Sequence, residues 1–218
     1  MSHHPGSQDS SAHWVFAAVQ GGLAGWMHCA VLCDDVHTRP QVPQLYRSVH
    51  RSTSSSFHHQ LPKLVGIDLE AICRAARSVS GDYYDFIRIS PTRLAIALAD
   101  ISGKGISAAL LMANVQAALR SDVLRYREGQ LGSHPMQIDT AEIVSHLNRH
   151  LFRNSSDERY ATFFLGVYDT QTRKLIYTNA GHLAPLYICG DRVRRLETGG
   201  MVVGLFNDVP FEQGTVEI

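Results

Sequence analysis

The sequence predicts an α+β fold built on antiparallel sheets, and three observations point there. Strand-like runs flank short turns at Ser90-Pro91-Thr92, Asp169 to Arg173 and Gly190-Asp191, so hairpins outnumber crossover helices. Helical spacing of apolar residues occurs in the stretch from Ser107 to about Arg127 and again after Asp139. A chain of 218 residues with 44% hydrophobic and 18% charged residues can bury one good core, so a single domain with an appendage is expected.

The appendage comes first. Eight of the 12 histidines precede residue 60, and Ser52 to Ser56 is a polar low-complexity tract. The expected boundary therefore divides a 1–60 extension, His- and Ser-rich, from a 61–218 domain. Trp14 to Cys33 carries no formal charge and is long enough to cross a bilayer, but Gln20, His28, Gly21, Gly22 and Gly25 dilute it. A loosely ordered segment is expected there rather than a membrane span. Met1 to His13 holds no Lys or Arg, which argues against a signal peptide. Cys29, Cys33, Cys73 and Cys189 are too few for a stapled secreted scaffold of this length, so a reducing cytoplasm is expected. Lys and Arg total 20 against 20 for Asp and Glu, leaving no basic excess for a nucleic acid backbone.

Within the domain, Gly66 to Ala76 reads as a strand at the domain edge. Asp82 to Ile89 is rich in aromatic and branched residues, and Leu94 to Ala99 alternates large residues with alanines, the pattern of a strand packed on both faces. Joined at Ser90-Pro91-Thr92, the two form a hairpin that brings Asp82 and Asp100 to one end of the sheet. Gly103 and Gly105 then allow a sharp turn into a helix whose Leu110, Ala113 and Ala117 form a stripe suited to close packing on a sheet. Asp139-Thr140-Ala141-Glu142 has the form of a capping box ahead of an apolar face made by Ile143, Val144, Leu147 and Leu151. Strands follow at Tyr160 to Tyr168, Lys174 to Thr178, Leu186 to Cys189 and Arg192 to Leu196.

Two carboxylates at one strand end need a compensating charge, which a hard divalent cation supplies. Equally, Asp100 can cap the following helix through its side chain. Rival motifs fail. Gly103-Lys104 is no phosphate-binding loop, because Gly105 stands where Ser or Thr is required. Gly105-Ile106-Ser107-Ala108-Ala109 lacks the second glycine of a nucleophile elbow. Cys33 and Arg39 have the spacing of a cysteine phosphatase, but Asp34 and Asp35 would repel phosphate.

Gly81-Asp82-Tyr83-Tyr84-Asp85-Phe86, Ala99 to Gly105, Ala108 to Ala113, Ala161-Thr162-Phe163-Phe164 and Asn179-Ala180-Gly181-His182 occur in that order. This series resembles the PPM-type metal-dependent serine/threonine phosphatases, in the bacterial branch of sporulation protein E and the sigma-factor regulators. The resemblance covers Leu61 to about Leu205 and implies a sandwich of two antiparallel β-sheets flanked by helices. It implies that Asp100 bridges two Mn²⁺ or Mg²⁺ ions, with the main-chain carbonyl of Ile101 as a further ligand and Asp82 acting directly or through water. No protein nucleophile is then needed, since two close cations activate a shared water. For Asp85 a structural role in the hairpin stands beside a role at the metals. Lys104 and His182 are candidates for contact with the substrate phosphate. The implied partner is a phosphorylated protein such as an anti-sigma-factor antagonist.

Members of the family continue to a Thr-Asp-Gly motif and one more aspartate, whereas this sequence runs to Thr215-Val216-Glu217-Ile218, and neither Asp208 nor Glu212 sits in such a motif. The expectation is accordingly a domain lacking its C-terminal strands, with unpaired sheet edges that call for a partner, a homodimer among the possibilities. Two further readings stay open: a catalytically inactive interaction module, and membrane-tethered signalling through Trp14 to Cys33.

Overall fold

The protein is represented by a computed structural model, which describes residues 12–19, 26–32, 62, 64, 67–72, 82–103, 105–128, 137–154, 159–189 and 192–218. In chain order the elements are β1 (Ala12–Val19), β2 (Trp26–Leu32), β3 (Ile67–Ile72), β4 (Asp82–Arg88), β5 (Arg93–Ile101), α1 (Ile106–Glu128), α2 (Thr140–Asn154), β6 (Ala161–Asp169), β7 (Lys174–Ala180), β8 (Leu186–Cys189), β9 (Arg192–Arg195), β10 (Gly199–Gly200) and β11 (Gly214–Glu217).

The hairpins written in the sequence build the larger sheet. Strands β4, β5, β6 and β7 pair antiparallel in succession, β10 joins β7 in parallel, and β11 also pairs with β7. Ser90 shapes the β4–β5 turn, where its hydroxyl oxygen accepts the backbone N–H groups of Thr92 and Arg93 at 3.2 and 3.0 Å. The second sheet has the order β3-β1-β2-β8-β9, with β1 parallel to β3 and β2 parallel to β8. Both sheets are therefore mixed, where the sequence led to purely antiparallel ones. Local turns are legible in sequence, but a parallel pair joins strands through a long connection that leaves no local signature.

Side-chain alternation in β5 divides the core into two layers. Leu94, Ile96 and Leu98 face Ile67, Tyr177 and Leu196 in the layer between the sheets. Ala95, Ala97 and Ala99 face the helices, with Leu111, Val115 and Leu119 from α1 and Ile143, Val144 and Leu147 from α2. The two helices among the described residues thus cover one face of the larger sheet. The capping expectation for α2 holds, since Asp139 Oδ1 accepts the backbone N–H groups of Ala141 and Glu142 at 2.9 and 3.0 Å.

Helix α1 differs from its expected phase. Leu110 is 68% exposed, and Ala113 and Ala117 also face solvent, while Ala108, Leu111, Val115, Leu119 and Val123 are buried. The alanine face of β5 leaves space that small helix residues would not fill, so close packing selects the bulkier stripe.

Strands β1 and β2 fall in the segment expected to be loosely ordered, and they pair antiparallel from His13↔Leu32 to Val19↔Trp26. The five-stranded sheet thus draws strands from both sides of residue 60. Among the described residues no helix is long and apolar enough to cross a membrane. Cys189 is disulfide-bonded, which the expectation of reduced cysteines did not foresee.

Candidate functional site

The register of the β4–β5 hairpin places Asp82 directly opposite Asp100. On β6, Thr162 is the partner of Asp100 on its other side, so three neighbouring strands present an oxygen-bearing residue at one level of the sheet. Asp100 is exposed and follows Leu94, Ile96 and Leu98 along the face toward the second sheet. This puts it at the mouth of the space between the sheets. Carboxylate and carbonyl oxygens are the donors a hard divalent ion selects. Asp100 and the Ile101 carbonyl are oxygen donors of the kind such an ion takes, and the backbone register puts Asp82 opposite Asp100. Among the described residues no group of three or more His, Cys, Asp or Glu side chains is gathered for one.

The turn after Asp100 is anchored at Ser102. Its N–H donates to the Tyr160 carbonyl at 2.8 Å, and its hydroxyl oxygen accepts the Tyr160 N–H at 2.9 Å. Gly103 and Gly105 then adopt φ of 99° and 76°, a left-handed backbone that glycine enters without strain, and α1 begins immediately. Lys104 lies outside the described residues, as does Gly81.

Asp85 is resolved as structural. Its strand position is of opposite parity to Asp82, on the face toward the helices, where it is 3% exposed. Arg120 of α1 grips it in a two-point contact, Nε to Oδ2 at 2.6 Å and Nη2 to Oδ1 at 2.8 Å. The Tyr83 hydroxyl and the Phe86 N–H also donate to it, at 2.8 and 2.9 Å. Burial, reinforced by the negative charge of Asp85, pushes the Tyr83 phenol far above its ordinary range, so it stays a donor. The Arg120 guanidinium is held still more firmly protonated by its hydrogen bonds to Asp85.

His182 sits close to the Asp100 level. Its Nδ1 lies 2.8 Å from Thr162 Oγ1, and Thr162 is the cross-strand partner of Asp100. The ring is buried, and Nε2 has no hydrogen-bond partner among the described residues. Burial alone lowers its pKa to about 4, so it is neutral at physiological pH. Asn179 builds the turn: its Oδ1 accepts the His182 N–H at 2.8 Å and its Nδ2 donates to the Leu196 carbonyl at 3.1 Å. Gly181 has φ of 67°, and a Cβ there would stand 2.7 Å from Val202 Cγ1. The turn therefore requires glycine.

Thr162, Asn179 and Arg120 were not singled out from sequence. The first two belong to motifs that were, and the register of β5 on β6 would have exposed Thr162. Arg120 had no signal, being joined to Asp85 only by tertiary packing.

The sheet-on-sheet fold with its carboxylate-bearing hairpin end defines a class, that of the PP2C-type phosphatases. Residues 90–218 match the family of stage II sporulation protein E, SpoIIE, and the chain belongs to that family. It is 31% identical over 156 residues to phosphoserine phosphatase RsbU of Bacillus subtilis (strain 168), a match spanning 71% of this chain and 43% of that protein. With phosphoserine phosphatase RsbP of the same organism it shares 24% over 155 residues, spanning 69% of this chain and 36% of the relative. The chain thus spans less than half the length of these curated relatives. Among solved structures, the PP2C phosphatase domain of SpoIIE from Bacillus subtilis superposes with a TM-score of 0.53 at 21% identity, covering 64% of this chain and 38% of that one. The RsbU and RsbW domains of a Mycobacterium tuberculosis protein give 0.53 at 23% identity, covering 66% and 38%. These likenesses establish the fold.

Proposed function

We propose that residues 61–218 form the catalytic part of a metal-dependent protein phosphatase that hydrolyses phosphoserine or phosphothreonine on a signalling partner. The observation that carries this reading is the pairing of Asp82 with Asp100 across the hairpin, within the motif series of a family whose relatives are named phosphoserine phosphatases. In this proposal Asp82, Asp100 and the Ile101 carbonyl hold Mn²⁺ or Mg²⁺. Bound cations would supply Lewis-acid polarisation of phosphate oxygens and a water of lowered pKa. The chain's own part is positioning. The Ser102–Tyr160 hydrogen bonds fix the turn that carries the Ile101 carbonyl, and the Asp85–Arg120 pair ties β4 to α1. His182, neutral and hydrogen-bonded to Thr162, and Lys104 are the residues proposed to act on the substrate phosphate, Lys104 by its charge and His182 through the Thr162 contact beside Asp100. A phosphorylated anti-sigma-factor antagonist in a bacterial cytoplasm is the proposed partner and setting.

A phosphatase assay with Mn²⁺ on the chain and on Asp100→Ala tests the reading. Activity in the first and a loss of at least about a hundredfold in the second is expected; equal activities would remove the metal mechanism. The alternative is an inactive interaction module that keeps the fold and binds the same partner. Calorimetric titration with Mn²⁺ separates the two, because tight binding contradicts the inactive module.

A further inference from the structure

Strand β9 reads Arg192-Val193-Arg194-Arg195, and all four residues are exposed. It is the terminal strand of the five-stranded sheet, so one of its edges carries no strand among the described residues. Three guanidinium groups within four positions make the densest basic run in a chain with no net formal charge. Arg195 donates to Glu197 at 2.7 Å, whereas among the described residues neither Arg192 nor Arg194 has an ion-pair partner.

The strand also leads to the candidate site. Arg195 is the register partner of Leu186, and the next residue, Leu196, donates its N–H to the Pro185 carbonyl at 2.9 Å. The Leu196 carbonyl is held by Asn179, whose other amide atom holds the His182 N–H. His182 precedes Leu186 by four residues, at most about 14 Å of chain. Arg192 lies about 10 Å beyond Arg195 along the strand.

We infer that the β9 edge is the docking strand for the acidic flank of the phosphoprotein substrate, an extended segment with Asp or Glu about four to eight residues from the phosphoserine. This rests on the phosphatase reading above. An open edge offers backbone N–H and C=O groups that only another extended polypeptide matches, which favours a peptide over a nucleic acid. The arginines select the occupant. A second copy of β9 would set like charges against one another across the ladder, whereas a carboxylate-rich strand is attracted and held in register.

The test is binding of labelled phosphoserine peptides in metal-free buffer, one with glutamates at those positions and one with glutamines. The chain should bind the glutamate peptide about tenfold more tightly at low salt. Arg192→Glu combined with Arg194→Glu should abolish that preference and leave Mn²⁺-dependent turnover of p-nitrophenyl phosphate unchanged. Equal affinity for the two peptides, or a preference that survives in the double variant, overturns the inference. So does displacement of the peptide by single-stranded DNA, which would give the patch to a nucleic acid. Absence of p-nitrophenyl phosphate turnover in both proteins defeats the phosphatase reading, while the peptide preference is still measured by itself.

Discussion

Asp85 and Arg120 form an unequal pair, and the inequality decides what each substitution does. The Asp85 side chain is 2% exposed, the Arg120 side chain 44%. Removing the arginine strands a carboxylate in the core, and Arg120→Ala should destabilise the fold by about 3 kcal/mol in urea unfolding. Asp85→Asn should cost less, about 1 to 2 kcal/mol, because the Phe86 N–H can still donate to the amide oxygen, the Tyr83 hydroxyl oxygen can accept from the new amide N–H, and Arg120 can turn to water. A second residue gives a pH signature. The folded pKa of His182 is lowered to about 4 from 6.5 by burial, so between those values the unfolded chain binds a proton that the folded one does not. Stability is full above pH 6.5 and falls as pH drops toward about 4, with a total contribution of about 3 kcal/mol. His182→Gln should remove that component of the slope, as measured by denaturant midpoints across the pH range.

Among the elements, α1 separates what periodicity can and cannot say. Apolar residues recur at helical spacing along two stripes, Leu110-Ala113-Ala117 and Leu111-Val115-Leu119, so the pattern identifies a helix without fixing which side is inward. The alanine face of β5 makes that choice. Leu119→Ala, at a fully buried position, should cost about 3 kcal/mol. Leu110→Ala, at 68% exposure, should change stability by less than about 0.5 kcal/mol. Reversal of that order in thermal unfolding would restore the phase expected from sequence. The turn into β8 is a second case. Gly181→Ala combines a positive φ with a Cβ driven against Val202, and should cost about 2 kcal/mol while disrupting the Thr162–His182 hydrogen bond. The histidine resonance in an NMR spectrum would report the second effect.

For the whole molecule, sheet order carries the consequence. Strands β1 and β2 lie between β3 and β8 in the five-stranded sheet. Deletion of residues 1–60 removes them from the interior of that sheet, and the remaining chain should unfold at a lower temperature in a calorimetric scan and expose strand edges that promote association. Retention of the full melting temperature by residues 61–218 would show that the domain stands without them, as its composition suggested.

The sequence by itself determined the hairpins, helices α1 and α2, the α2 cap and the meeting of Asp82 with Asp100, because each follows from side-chain periodicity or from a turn closed within a few residues. The same reading carried the motif series and with it the family. Tertiary structure alone decided the parallel pairings of the second sheet, the inward face of α1, the burial of His182 and the capture of Asp85 by Arg120. Those depend on which surfaces meet across long stretches of chain. Such contacts are chosen by volume, charge and desolvation at the interface, and no local pattern of residues records them.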